Sequence, residues 1–145
     1  MKRNKIAFVA VITILVLYYP IGLLHEFGHY LVGLNSHSTC VIHWWLAGEC
    51  YPLPQPFMLY WALGGIFGMI GSFSLVALKK VHSNKGILIG VLMLGVSHFV
   101  NFVFETFAHF AYLNNAIAGI LMASSEALAF IALWKFFSKT ASKKT

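Results

Sequence analysis

The sequence predicts an all-α membrane protein with four transmembrane helices and a short β-like loop between the first two. The first reason is composition: 59% of the residues are hydrophobic, 10% are charged and the mean hydropathy is +0.79. Soluble domains carry about 25% charged residues. The second reason is that apolar segments long enough to cross a bilayer, about 20 residues, occur four times. We expect residues 1–145 to form a single transmembrane domain.

The spans are expected at about 6–34, 57–78, 86–112 and 116–137. The first contains a run of 19 uncharged residues, Ile6 to Leu24. This run is longer than the apolar region of a signal peptide, and no small-residue cleavage site follows it. We therefore expect the first span to be a permanent helix.

The positive charges indicate how the chain is oriented. All ten Lys and Arg residues lie before the first span, between the second and third, or at the end of the fourth: Lys2, Arg3, Lys5, Lys79, Lys80, Lys85, Lys135, Lys139, Lys143 and Lys144. Four spans place these regions on one side of the bilayer. The positive-inside rule then predicts that both termini are cytoplasmic. The net charge of +6 is explained by this orientation, and we expect no nucleic-acid partner.

One short motif stands at the end of the first apolar run. Residues 25–29 read His-Glu-Phe-Gly-His, which is the pattern H-E-x-x-H. On a helix, His25 and His29 lie on one face and can bind the same Zn²⁺, with Glu26 as general base for a water molecule. The alternative is a capped helix end with interfacial histidines. The cost of ionisable groups in an apolar span favours the metal site.

A third metal ligand has to come from another helix at a similar depth. The chain has four acidic residues, all Glu; Glu26 is the candidate base and Glu49 lies in the loop. Glu105 lies 19 residues beyond Gly86, as His25 lies 19 beyond Ile6, so both are about 28 Å along their helices. Glu105 is therefore preferred. The alternative ligand is Glu126, which is otherwise interpreted as a buried carboxyl bonded to hydroxyl groups or as a residue that orients a ligand histidine.

The third span carries a polar stripe. His98, Asn101, Glu105 and His109 are spaced by 3, 4 and 4 residues, which places them on one helical face. Such a stripe should face the bundle interior, where Asn101 is a candidate to hold the substrate backbone or a developing oxyanion. The alternative is a polar seam between helices, and for His98 and His109 taken singly the seam is preferred.

Two further features concern packing. Gly64, Gly68 and Ser72 recur every four residues in the second span and predict a close approach to the motif helix. Pro20 precedes the motif and predicts a kink, which could admit water to the metal.

The loop of residues 35–56 is the longest segment outside the spans. Residues 39–46 are β-branched and aromatic, which predicts a short hairpin or a re-entrant segment. An exposed strand could pair with an extended substrate, although Trp44 and Trp45 also suit a simple interfacial anchor. Cys40 and Cys50 would lie on the oxidising side, so a disulfide is plausible.

These elements resemble the site-2 protease class of intramembrane zinc metalloproteases. The match comprises H-E-x-x-H in a first core helix, a glycine-rich second core helix at residues 64–68, and a third core helix carrying Asn101 and Glu105, and it covers roughly residues 6–110. The usual third ligand of the class, the Asp of an N-P…L-D-G motif, is absent. Glu105 stands in its place, and both carboxylates bind zinc at about 2.0–2.2 Å.

The expected function is hydrolysis of peptide bonds in membrane-embedded or membrane-proximal substrates. Zn²⁺ is expected on His25, His29 and Glu105, with Glu26 moving the proton. The expected partners are a membrane protein or peptide substrate and the lipid bilayer. The alternatives are a metal-ion transporter or sensor, and a catalytically inactive zinc-binding scaffold. The apolar inner halves of the first and third spans count against transport.

Overall fold

The computed structural model describes the backbone of residues 3–114 and 116–142 and the side chains of residues 4–108, 116 and 119–137. The elements in chain order are α1 (Arg3–Asn35), β1 (Thr39–His43), β2 (Ala47–Tyr51), α2 (Phe57–Ser74), a 3₁₀ turn (Leu75–Ala77), α3 (Lys79–Ser83), α4 (Lys85–Asn114) and α5 (Ala116–Ser142). Within this part of the chain, α1, α4, α5 and α2 with the turn that follows it are long and apolar enough to cross a membrane. The predicted fold class is confirmed, and the chain is a multi-pass membrane protein.

Details of the helices differ from the sequence-based expectation. The second and third spans are joined by the 3₁₀ turn and α3, which no apolar pattern predicted. Helix α4 is interrupted at Ala108, with φ −131° and ψ 17°, which no sequence feature predicted. Helix α1 includes Pro20 within its bounds, and the kink there stays a prediction. The side chain of His109, the last residue of the predicted stripe, lies outside the described residues.

Helices α1, α2 and α4 pack together and form the core, and α5 packs against α4. Glycines allow the close approaches. A Cβ atom at Gly64 of α2 would collide with the His29 imidazole of α1, and one at Gly68 would collide with the His98 ring of α4. The small-residue face of α2 therefore contacts the motif helix, as predicted, and also contacts α4.

The two strands form an antiparallel hairpin in which Cys40 lies opposite Cys50, and these two residues are joined by a disulfide. The hairpin lies along α1. Its disulfide sulfurs border Gly33, and the Leu46 side chain at its turn lies against Gly22. These two glycines are separated by about 16 Å of helix. The hairpin therefore turns back along the membrane-spanning helix, and the predicted hairpin is confirmed.

The contact between α1 and α2 provides a test of this packing. In a Gly28→Ala variant the new Cβ would lie 2.6 Å from the Leu63 carbonyl carbon and 2.9 Å from the Gly64 nitrogen. Backbone atoms cannot rotate away, so we expect a loss of about 1–3 kcal/mol in the free energy of unfolding, measured by denaturant titration in detergent micelles.

Gly119→Ala is the matched control, because nothing lies within 4 Å of a Cβ built there. We expect it to leave stability unchanged or to raise it by about 0.5–1 kcal/mol, the usual helix preference for alanine. Equal stability of the two variants would contradict the described α1–α2 contact.

Candidate metal centre

Three ionisable side chains from two helices meet inside the bundle. His25 and His29 of α1 and Glu105 of α4 are each 6% exposed. The two Nε2 atoms are 3.2 Å apart, and they lie 3.4 and 3.6 Å from Oε1 and Oε2 of Glu105, respectively. Each residue thus presents one ligand atom to a common point, so the cluster can hold a metal ion.

The spacing of the two nitrogen ligands suits a metal ion. Ligands at 2.0–2.1 Å from a tetrahedral centre are about 3.3–3.4 Å from one another, and the two Nε2 atoms, 3.2 Å apart, are close to that value. Three protein ligands leave one vertex free. Two imidazoles and a carboxylate are also a donor set that catalytic zinc sites use.

Glu105 carries a further indication of a cation site. Its Oε2 atom is buried and has no hydrogen-bond partner among the described residues. A buried carboxylate oxygen without a partner is costly. A divalent ion between the two histidines would provide that partner.

The outer nitrogen of each histidine also has a partner. His29 Nδ1 lies 2.7 Å from the backbone carbonyl oxygen of Tyr60 and donates to it, which leaves Nε2 free to bind a metal. His25 Nδ1 lies 3.3 Å from Nδ1 of His98. When His25 binds a metal through Nε2, its Nδ1–H donates to His98. Gly68 of α2 provides the space that the His98 ring occupies.

Glu26 lies between the metal ligands and the hairpin. It is half-buried, and its Oε2 atom would be 2.6 Å from a Cβ built on Gly48 of β2. The Gly48 backbone also interacts electrostatically with the Glu26 carboxylate. The hairpin thus holds the candidate base beside the site.

A cavity of about 360 Å³ opens beside the cluster. Its walls come from α1, α4, α5 and the hairpin turn. His25, Glu26 and Glu105 line one part of it, and Asn101 and Glu126 also line it. The cavity is large enough for a short peptide segment and water, and it reaches both the candidate base and the metal ligands.

The structure separates the two candidates for third ligand. Glu105 lies between the histidines, whereas Glu126 accepts a hydrogen bond of 2.6 Å from the Ser97 hydroxyl. Ser97 is eight residues before Glu105, about 12 Å along α4. Asn101 lies midway between them, as the predicted stripe requires.

Three supporting groups were missed or underrated by sequence reasoning. The carbonyl of Tyr60 and the backbone of Gly48 act through main-chain atoms, which leave no mark in a sequence. His98 was marked by the polar stripe, but a seam between helices produces the same spacing.

No protein-family model, curated protein or solved structure matches this chain. Function is therefore inferred from the residues and geometry of the site.

Removing ligands one at a time tests the centre. We expect wild-type protein and Glu126→Ala to retain about one metal ion per chain, because three protein ligands suffice for a tetrahedral site. Glu105→Ala and His25→Ala should lose it. The measurement is elemental analysis of dialysed protein, with monodispersity on size exclusion as the folding control. Loss of metal from Glu126→Ala but not from Glu105→Ala would assign the third ligand to Glu126.

The contact between His98 and His25 makes a second prediction. Removing the acceptor in His98→Leu should weaken zinc affinity about 10–100-fold, because the ligand imidazole loses the group that orients it. His98→Gln retains an acceptor and should recover part of the affinity. Competition with a chromophoric chelator measures both variants. The exposed His82 supplies the control variant His82→Leu, and an equal effect there would contradict the orienting role.

Proposed function

We propose that this protein is an intramembrane zinc metalloprotease of the site-2 protease type. The observation that carries the proposal is the convergence of His25, His29 and Glu105 within 4.8 Å, inside a bundle of membrane-spanning helices. The H-E-x-x-H pattern, the glycine-rich second helix and the carboxylate on the third core helix support the same assignment.

Zinc is the metal that this donor set favours. Two imidazoles and one carboxylate that leave a coordination position open for water are typical of hydrolytic zinc sites. A zinc ion bound there would polarise the substrate carbonyl and make water more acidic. The remaining chemistry belongs to side chains of this chain.

Glu26 is the group that moves the proton. It follows His25 directly in α1 and lines the cavity in which the peptide and water would meet. Its carboxylate would take a proton from the attacking water and pass it to the leaving amine. The contact with Gly48 restrains the carboxylate and so reduces the cost of ordering it for the reaction.

Asn101 is the candidate to hold the substrate. It lies one helical turn from Glu105 on α4 and lines the same cavity. A side-chain amide can donate to a substrate carbonyl or to the oxyanion that develops from it. The substrate has to be extended at this point, because the amides of an intact helix are bonded internally.

The proposed orientation places the hairpin and the site towards the non-cytoplasmic face, with both termini in the cytoplasm. The positive-inside rule gives this assignment. The disulfide of the hairpin supports it independently, since disulfides persist in oxidising compartments.

Hydrolysis accounts for the arrangement better than transport. A transporter needs polar groups along a path through both halves of the membrane. Here the bundle beyond the cavity is filled by Ile6, Ala10 and Ile89, against which Met93, Trp134 and Phe137 pack. The polar groups of the metal centre and the cavity therefore do not extend into the end of the bundle that this apolar cluster fills.

The decisive experiment separates proton transfer from metal binding. Glu26→Gln keeps the size of the side chain and removes its basicity, so we expect cleavage of membrane peptides to fall at least about 100-fold while bound zinc is unchanged. Cleavage is followed by mass spectrometry of products in detergent micelles, and zinc by elemental analysis.

The control is Glu49→Gln on the hairpin, whose side chain is 79% exposed and should not affect the rate. If Glu26→Gln cleaved the peptides at the wild-type rate, the proposed mechanism would be excluded. If the zinc-loaded wild-type protein cleaved no peptide in a library of membrane segments, the result would favour a zinc-binding scaffold over a protease.

A further inference from the structure

Helices α1 and α5 leave a gap between them beside the metal centre. Helix α5 packs against α4, and its Trp134 and Phe137 side chains pack against the apolar cluster of Ile6, Ala10 and Ile89. Further along, Tyr18 and Gly22 of α1 and Met122 and Glu126 of α5 line the cavity from its two sides. The cavity therefore lies between two helices that have no extensive contact with each other.

A polar pair lies in this gap, away from the metal centre. The Ser97 hydroxyl of α4 donates to Oε1 of Glu126 at 2.6 Å, and both residues line the cavity. The mechanism proposed above uses neither of them. Carboxyl groups within membrane spans are costly and mark sites that bind a partner.

Charge balance distinguishes Glu126 from the other two intramembrane carboxylates. Glu26 and Glu105 lie beside the proposed divalent ion, whose two positive charges balance theirs. Glu126 lies outside this balance, because it is on α5 and its described partner is Ser97, eight residues before Glu105 on α4. The partner described for it is a neutral hydroxyl, and a carboxylate has room for more than one donor.

We propose that Glu126 and Ser97 form a subsite that binds a hydrogen-bond-donor side chain, an amide or an ammonium group, in the membrane segment of the substrate. This inference rests on the proposed proteolytic function and names a determinant of its specificity. The donor completes the hydrogen bonding of the carboxylate, and the carboxylate offers a polar side chain a partner that lipid cannot provide.

The geometry also gives the direction in which that side chain lies along the substrate. Ser97 precedes Glu105 on α4, so the subsite lies on the side of the metal centre nearer to the first residues of α1. Cleavage should therefore occur at a fixed spacing from the donor side chain, in one direction along the substrate.

The test uses the full-length zinc-loaded protein and synthetic membrane-spanning peptides of Leu and Ala. One guest residue, Asn, Lys or Leu, is placed at successive positions, and kcat/KM and cut sites are measured. We expect wild type to prefer the Asn and Lys guests over Leu by about tenfold, the effect of one hydrogen bond in a membrane. Cut sites should move with the guest.

Variants assign the preference to the subsite. Glu126→Leu should abolish the preference for both guests, and Glu126→Gln should keep it for Asn and lose it for Lys. Ser97→Ala should reduce it. Ser125→Ala is the matched control, because that hydroxyl bonds to Leu121 of its own helix. Zinc content should be the same in all of them. The subsite would be excluded if Glu126→Leu kept the preference for Asn and Lys guests, or if the cleavage position did not change with the position of the guest residue.

A binding measurement separates this inference from the proposed function. Photo-crosslinking to Glu26→Gln reports capture of the same peptides without turnover. Capture that prefers Asn and Lys guests and depends on Glu126 would support the subsite even if wild type cleaved nothing, in which case only the protease assignment fails. Equal capture of all guests would overturn the subsite.

Discussion

The negative charge of Glu105 is the constraint on which the rest of this structure depends. A carboxylate in an apolar bundle is costly unless a cation or several donors lie next to it. His29 Nε2 is available as a metal ligand because its Nδ1–H donates to the Tyr60 carbonyl, and a metal bound to His25 Nε2 would leave the Nδ1–H of His25 to donate to His98. A divalent ion would bind these three polar side chains, which do not stabilise the bundle by burying apolar surface.

That arrangement requires three helices to approach closely at one depth, and side-chain size controls the approach. Gly64 and Gly68 of α2 are the places where the His29 and His98 rings fit, so α2 supplies space rather than ligands. Larger residues there would move the rings away from Glu105. The glycine-rich face and the metal motif are therefore parts of one feature.

Much of this could be predicted from the sequence because helix geometry is regular. The equal rise per residue placed His25 and Glu105 at one height, and the four-residue repeat of Gly64 and Gly68 predicted a contact face. Other features had no such regularity. The contact of Glu26 with Gly48 depends on a hairpin folding back along α1, and the interruption at Ala108 has no proline or glycine to announce it.

Helix α5 stands apart from the metal centre, and this difference is informative. The candidate ligands come from α1 and α4, their supporting groups from α2 and α4, and the contact with Glu26 from the hairpin. Two side chains of α5, Trp134 and Phe137, pack against the apolar cluster, and the helix also provides one wall of the cavity and the carboxylate of Glu126. Packing explains the two aromatic residues, but it does not explain a carboxyl group on the wall of an intramembrane cavity, and the proposed substrate subsite does.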